Sequence, residues 1–303
     1  KGAGSGASVG VLADEMNFGG IFDVSVTNAI VISTENAGGL VGEALGVAKF
    51  SGNKVQALLE GDKVGGLAGY HAKSTMNQFA PVIENNQVDI FAKTVLDDGK
   101  ELCVGGLLGL LNANPVNPAN GDEIVVSENA VKLDVQSVAE VALGSSSFLV
   151  GGLAGSIYTN QNVRLVKNTV DSVKVKYRGQ TSGKGFVHVG GEVGFLSSDG
   201  NESGLNLSVS KDVATAYMDI DLNKASYSKN KVESQSLGGV IGLLKWGLQG
   251  SVAFNENVVS AVIDSKAESR EDTVYMGGLI ARVIELNGSP YGMNISSSHQ
   301  KFH

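Results

Sequence analysis

GGLLG at residues 105–109 decides how this chain reads, because the same pentapeptide returns along most of its length. Copies stand as GGLVG (38–42), GGLAG (65–69), GGLAG (151–155), GGEVG (190–194), GGVIG (238–242) and GGLIA (277–281). FGGIF (18–22) reads as a degenerate copy. After a shorter first interval from Gly38 to Gly65, the copies fall roughly 40 to 48 residues apart, long enough for two turns of a solenoid. A glycine pair suits a corner, where the backbone needs positive φ or room for a neighbouring strand to come close. The apolar residue after the pair would plug the interior.

A second element lies between the glycine units: an apolar residue, two variable residues, then Asn. It reads FSGNKV (50–55), VSENAV (126–131), LVKNTV (165–170), YSKNKV (227–232) and FNENVV (254–259), with VIENNQV (82–88) as a variant. Asn tolerates the left-handed region, and its amide can bond to local backbone or to the Asn of the next coil. After each Asn the chain alternates apolar and polar, as in Val131-Lys132-Leu133-Asp134-Val135, the period-two signal of a strand with one buried face. A unit of this kind cannot bury its own apolar face, so copies must stack. The expected fold is therefore all-β, a right-handed parallel β-helix (β-solenoid) with Gly-Gly-Leu-x-Gly corners. It would be a single domain over 1–303, with loop excursions near 112–123 and 197–206. The interval from Gly190 to Gly238 has room for an extra coil or a long excursion.

Composition agrees. The 303 residues include 41 Gly without a period of three, 4 Pro, 10 Phe and 1 Trp, which excludes collagen and leaves few bulky side chains for a layered globular core. A hydrophobic content of 42% argues against disorder. No run of about 18 apolar residues occurs, so no membrane-spanning segment is expected. The net charge of -8 and scattered lysines disfavour nucleic acid as a partner. Cys103 stands alone, which excludes a disulfide framework and fits an exported microbial protein better than a secreted eukaryotic module. A start at Lys-Gly, without Met, suggests a processed product or a segment of something longer.

The GGL[AV]G units resemble the GLUG motif found in repeat regions of bacterial cell-surface proteins, over residues 38 to 282. The FxxN spellings at 50–53 and 254–257 are similar to the repeats of chlamydial polymorphic membrane proteins, which carry GGA where this chain has GGL. Both resemblances imply a β-helix displayed at the cell surface and used for adhesion.

The search for chemistry assigns no catalytic, cofactor-binding or metal-binding residue. Glycine corners in seven copies without helices are architecture, not a dinucleotide loop. Asp219 and Asp221 share a strand face and could pair, but polar-out alternation explains them. His71, His188, His299 and His303 lack metal-ligand spacing, and Arg164, Arg178, Arg270 and Arg282 are scattered. DDG (97–99), SSDGN (197–201) and NGDE (120–123) read as loop tips, since none completes a calcium loop. Sequons at Asn201, Asn206, Asn287 and Asn294 carry little weight in an Asn-rich chain. Tyr158, Tyr217, Tyr291 and Trp246 could stack on carbohydrate, although packing explains each. The sequence thus predicts a non-enzymatic extracellular or cell-surface solenoid acting in adhesion or as a structural rod, with host or matrix molecules or glycans as partners. The alternatives are a protomer of a self-assembling filament, whose partners are copies of itself, and a polysaccharide-active enzyme on the same fold.

Overall fold

The structure, a computed structural model, describes residues 7–72, 80–95, 100–113, 123–139, 147–179, 186–198, 205–222, 234–246, 250–267, 273–285 and 294–302. Among these residues there is no helix. Thirty-two described strands form four parallel sheets of eight, and within each sheet neighbouring strands are four places apart in the chain. Four successive strands therefore make one coil, and eight coils stack, an arrangement consistent with a parallel β-solenoid.

The fourth coil shows why the sequence folds this way. Glu101–Gly105 lies in the first sheet and Leu108–Ala113 in the second, with the glycine corner between them. Glu123–Ser127 follows in the third sheet, and Ala130–Ala139 in the fourth. Val131, Leu133 and Val135 point inward from the fourth sheet, each in register with the equivalent residue one coil away. Leu107, after the glycine pair, is buried in a column with Leu40, Leu67, Leu153 and Val240. Such a buried side chain contributes roughly 1.5–3 kcal/mol. Repetition of these columns is what lets a narrow coil hold one continuous core.

Each interval between glycine units holds one coil of four strands, not two, and this is as true of the short Gly38–Gly65 interval as of Gly105–Gly151. Gly190 to Gly238 likewise spans a single coil. FGGIF is not a corner: Gly19–Phe22 forms a strand of the third sheet, while the first coil turns its corner at Gly10, which pairs with Gly38. The excursions expected near 112–123 and 197–206 fall largely on 114–122 and 199–204, outside the described residues.

The corner glycines serve close approach, not positive φ. A Cβ on Gly105 would lie 1.9 Å from the carbonyl oxygen of Leu108, and one on Gly106 would lie 2.1 Å from that of Gly152 and 2.2 Å from Cγ1 of Val131. The corners are stitched to one another by backbone bonds such as Gly106 N to Gly152 O (3.0 Å) and Leu107 N to Leu153 O (2.9 Å), so they cannot spread to admit a methyl group. Gly106→Ala is expected to cost about 3 kcal/mol or more. A urea midpoint equal to that of the wild type would contradict this.

Candidate functional site

The turn between the third and fourth sheets carries the asparagines, and it is built differently from the expectation. The left-handed residue is the one before the Asn: Asn85, Glu128, Lys167, Lys211 and Glu256 all have φ between 56° and 59°, and Gly52 takes the same place at 71°. The Asn side chain turns inward and forms a ladder. Asn129 Nδ2 donates to Ile83 O (2.9 Å) and to Asn168 Oδ1 (3.0 Å), while its own Oδ1 accepts from the backbone N–H (3.0 Å) and Nδ2 (2.9 Å) of Asn86. Asn53, Asn86, Asn129 and Asn168 follow this pattern. In the sixth coil the place belongs to Asp212, whose N–H donates to Asn257 Oδ1 (2.9 Å) and whose carboxylate accepts from Asn168 N–H (2.7 Å). YSKNKV lies at 227–232, outside the described residues.

The same coil holds a second carboxyl group in the core. Glu192 occupies the column of Leu107 and Leu153 and is 0% exposed, and Asp212 is 1% exposed. Burial, and then the charge of Asp212, push the Glu192 carboxyl well above the usual carboxylate range. Burial pushes Asp212 up to about 6, against the pull of the bond from the Asn168 backbone. Neither Glu192 carboxyl oxygen has a hydrogen-bond partner among the described residues, so burial beside Asp212 keeps the group protonated. Asp for Asn in VSKDV (209–213) and Glu for Leu in GGEVG are both visible in the sequence, yet neither was singled out, because their convergence depends on the coil register.

Two concavities mark the outside of the stack. One, of about 540 Å³, lies on the outer face of the fourth sheet, where parallel register aligns like positions. Lys176, Asp219 and Asp264 stand side by side on successive strands, next to the row of Asp134, Lys174 and Tyr217. The backbone of Asp221 sits between those of Arg178 and Lys266, and its side chain is outside the described residues.

The other, of about 480 Å³, is an elbow between the outer faces of the first two sheets, which the crowded glycine corner folds toward each other. Its floor is a small separate apolar cluster of Cys103, Leu110 and Leu149 with Tyr70, Tyr158 and Phe195. Four rings run across it in sequence: Phe186 to His188 at 5.8 Å, His188 to Phe195 at 6.1 Å, and Phe195 to Tyr158 at 5.5 Å in an edge-to-face pose. At one end Glu101 accepts from the Tyr158 hydroxyl (3.2 Å) and from Cys103 Sγ (3.3 Å). At the other end stand Lys245 and Arg282, the latter with its guanidinium 4.7 Å from the ring centre of Tyr275.

The ionisation states in the elbow suit binding. Burial, and then the nearby Arg282 charge, hold His188 down to about 4, so its ring is neutral at physiological pH. Its Nδ1 is buried and has no hydrogen-bond partner among the described residues. Burial and the Glu101 carboxylate raise both the Cys103 thiol and the Tyr158 hydroxyl, which keeps each protonated and unreactive.

The residues marked in the sequence therefore part ways. Tyr158, His188 and Arg282 meet in the elbow, and Tyr217 and Asp219 meet on the fourth sheet. Trp246 is buried and donates to Leu205 O (3.1 Å). His71 is buried in the core, its Nε2 bonded to Val47 O (2.8 Å). His299 is the left-handed residue of the last turn, and Arg164 pairs with Glu123 at 2.8 Å. Asn206 accepts a bond from Ser251, and Asn294 opens a strand. His303, Arg270, Tyr291, Asn201, Asn287 and the DDG turn lie outside the described residues. Among the described residues no three His, Cys, Asp or Glu side chains gather as metal ligands, and no helix is long and apolar enough to cross a membrane. The sequence does signal the elbow: in LCVGGLLGLL (102–111) the apolar run is nearly unbroken, as befits strands buried on both faces. No protein-family model, curated protein or solved structure matches the chain.

Proposed function

We propose that this chain is a right-handed parallel β-helix displayed outside a cell, where it acts without catalysis as an adhesive rod. Right-handedness is the general rule for parallel crossover connections. The observation that carries the reading is a division between inside and outside. Inside, the Val, Leu and Asn columns repeat from coil to coil; outside, the elbow changes chemistry along the axis. It begins with the bonds of Asn36 to Ser8 (2.9 Å) and Ser8 to Glu43 (3.2 Å), passes through the Tyr158 and Phe195 rings, and ends at Arg282. A constant scaffold with a graded face suits recognition. The likeness to GLUG-motif repeats supports the surface location.

The test is adhesion of the purified protein to cell and matrix surfaces, run beside a screen for polysaccharide turnover. Adhesion without turnover is expected. Turnover of an acidic polysaccharide that Asp219→Asn abolishes would replace this reading with an enzyme working on the fourth sheet.

A second reading, a filament protomer, is favoured by the exposed apolar side chains of the outermost described coils: Phe18, Phe22 and Ile30 at one end, Ile295 and Phe302 at the other. Each of these coils also has strands with one unpaired edge. Electron microscopy and light scattering over a concentration series would show filaments with a regular axial repeat. Isolated short rods at every concentration would remove this reading.

A further inference from the structure

We infer that the elbow between the first and second sheets is a binding site for an acidic oligosaccharide, one whose sugar carries a carboxylate. The inference deepens the adhesive reading and rests on it.

Three features of the site select this chemistry. First, the strands that carry Glu101, Tyr158, His188, Phe195 and Lys245 already spend their backbone hydrogen bonds on the coils above and below, so an extended peptide cannot add itself as a strand along them. Recognition must pass through side chains. Second, the half-buried rings of Tyr158 and Phe195 offer apolar faces edged by polar groups, which matches the C–H face and hydroxyl rim of a sugar ring. The unpartnered Nδ1 of His188 is a buried polar atom inside the same concavity, and a hydroxyl can satisfy it as donor or acceptor. Third, the ends are opposite in charge. Glu101 accepts from donors at one end, while Lys245 and Arg282 place two cations at the other, where a carboxylate fits. A purely apolar ligand would bury His188 Nδ1 without a partner.

The fourth-sheet groove carries no such inference. Its acids and lysines alternate in sign, and it holds no buried unpartnered polar atom among the described residues.

The experiment titrates the full chain by calorimetry with trigalacturonate and sialyllactose, and with lactose and tetraglutamate as controls. Binding of at least one acidic saccharide is expected, with lactose about tenfold weaker or worse and tetraglutamate without effect. Which acidic saccharide binds separates uronate from sialate sources. Lys245→Gln combined with Arg282→Gln should weaken the acidic ligand about tenfold and leave lactose unchanged. The ring signals of His188, identified by their loss in His188→Gln, should shift on titration of the wild-type protein. No heat with either acidic saccharide, equal binding of tetraglutamate, or full affinity in the double variant would overturn the inference. Cell adhesion that persists in that variant would remove the elbow assignment and leave the adhesive reading standing.

Discussion

Asn129→Ala should lower the stability of the stack by about 3–5 kcal/mol, far more than a typical surface substitution. The change strips the acceptor from two buried donors, the backbone N–H and Nδ2 of Asn86, and strips the donor from Ile83 O. No water can replace these partners, because Asn129 and its neighbours Asn86 and Asn168 are each about 1% exposed or less. Circular dichroism across a urea series measures the loss. Asn129→Asp keeps the acceptor and loses the donors, so it should fall between wild type and the Ala variant. A midpoint for Asn129→Ala within error of the wild type would show that the ladder is decoration.

The second large effect has the opposite sign. Glu192→Leu with Asp212→Asn should stabilise the protein at pH 8, because it restores the leucine column and returns two donors to the ladder. Both carboxyls have folded-state pKa values raised above their unfolded ones. The folded protein therefore holds more protons than the unfolded chain from about pH 4 upward, and stability falls as pH rises through the folded pKa of Asp212, about 6, and then through the raised one of Glu192. Each pKa unit is worth roughly 1.4 kcal/mol, so a gain of about 3 kcal/mol is expected at pH 8 and a much smaller one at pH 4. His71 and His188 pull the other way, since burial lowers both and stability then falls as pH drops below 6.5. They are common to both proteins, so the difference between the two urea midpoints isolates the carboxyl pair. Fluorescence of Trp246, buried one coil away, reports it. A difference that does not change with pH would mean that burial does not raise these two carboxyls.

The two kinds of variant also explain what was legible in the sequence. Period-two alternation and recurring glycines specify stacked parallel strands, because both follow from local backbone and side-chain geometry. Coil length is not local. It depends on which strands pair, so a spacing of roughly 40 residues read as two coils when it is one with loops. The Asn ladder was legible as a side-chain stack, but the left-handed place one residue earlier was hidden, because Glu128 and Lys167 are not residues that advertise positive φ. The apolar run at 102–111 signals strands buried on both faces, but which residues meet in the elbow was hidden for a different reason. Tyr158, His188 and Arg282 come from three separate coils, and only the sharp glycine corner brings the outer faces of two sheets into one concavity.

The most direct measurement compares adhesion to one cell surface at pH 7 for three proteins: wild type, Glu192→Leu with Asp212→Asn, and Lys245→Gln with Arg282→Gln. If the interior is scaffold and the elbow is the working face, the first two bind alike and the third binds about tenfold more weakly. Adhesion by none of them, or a loss that follows the interior substitutions and spares the elbow ones, would contradict the account.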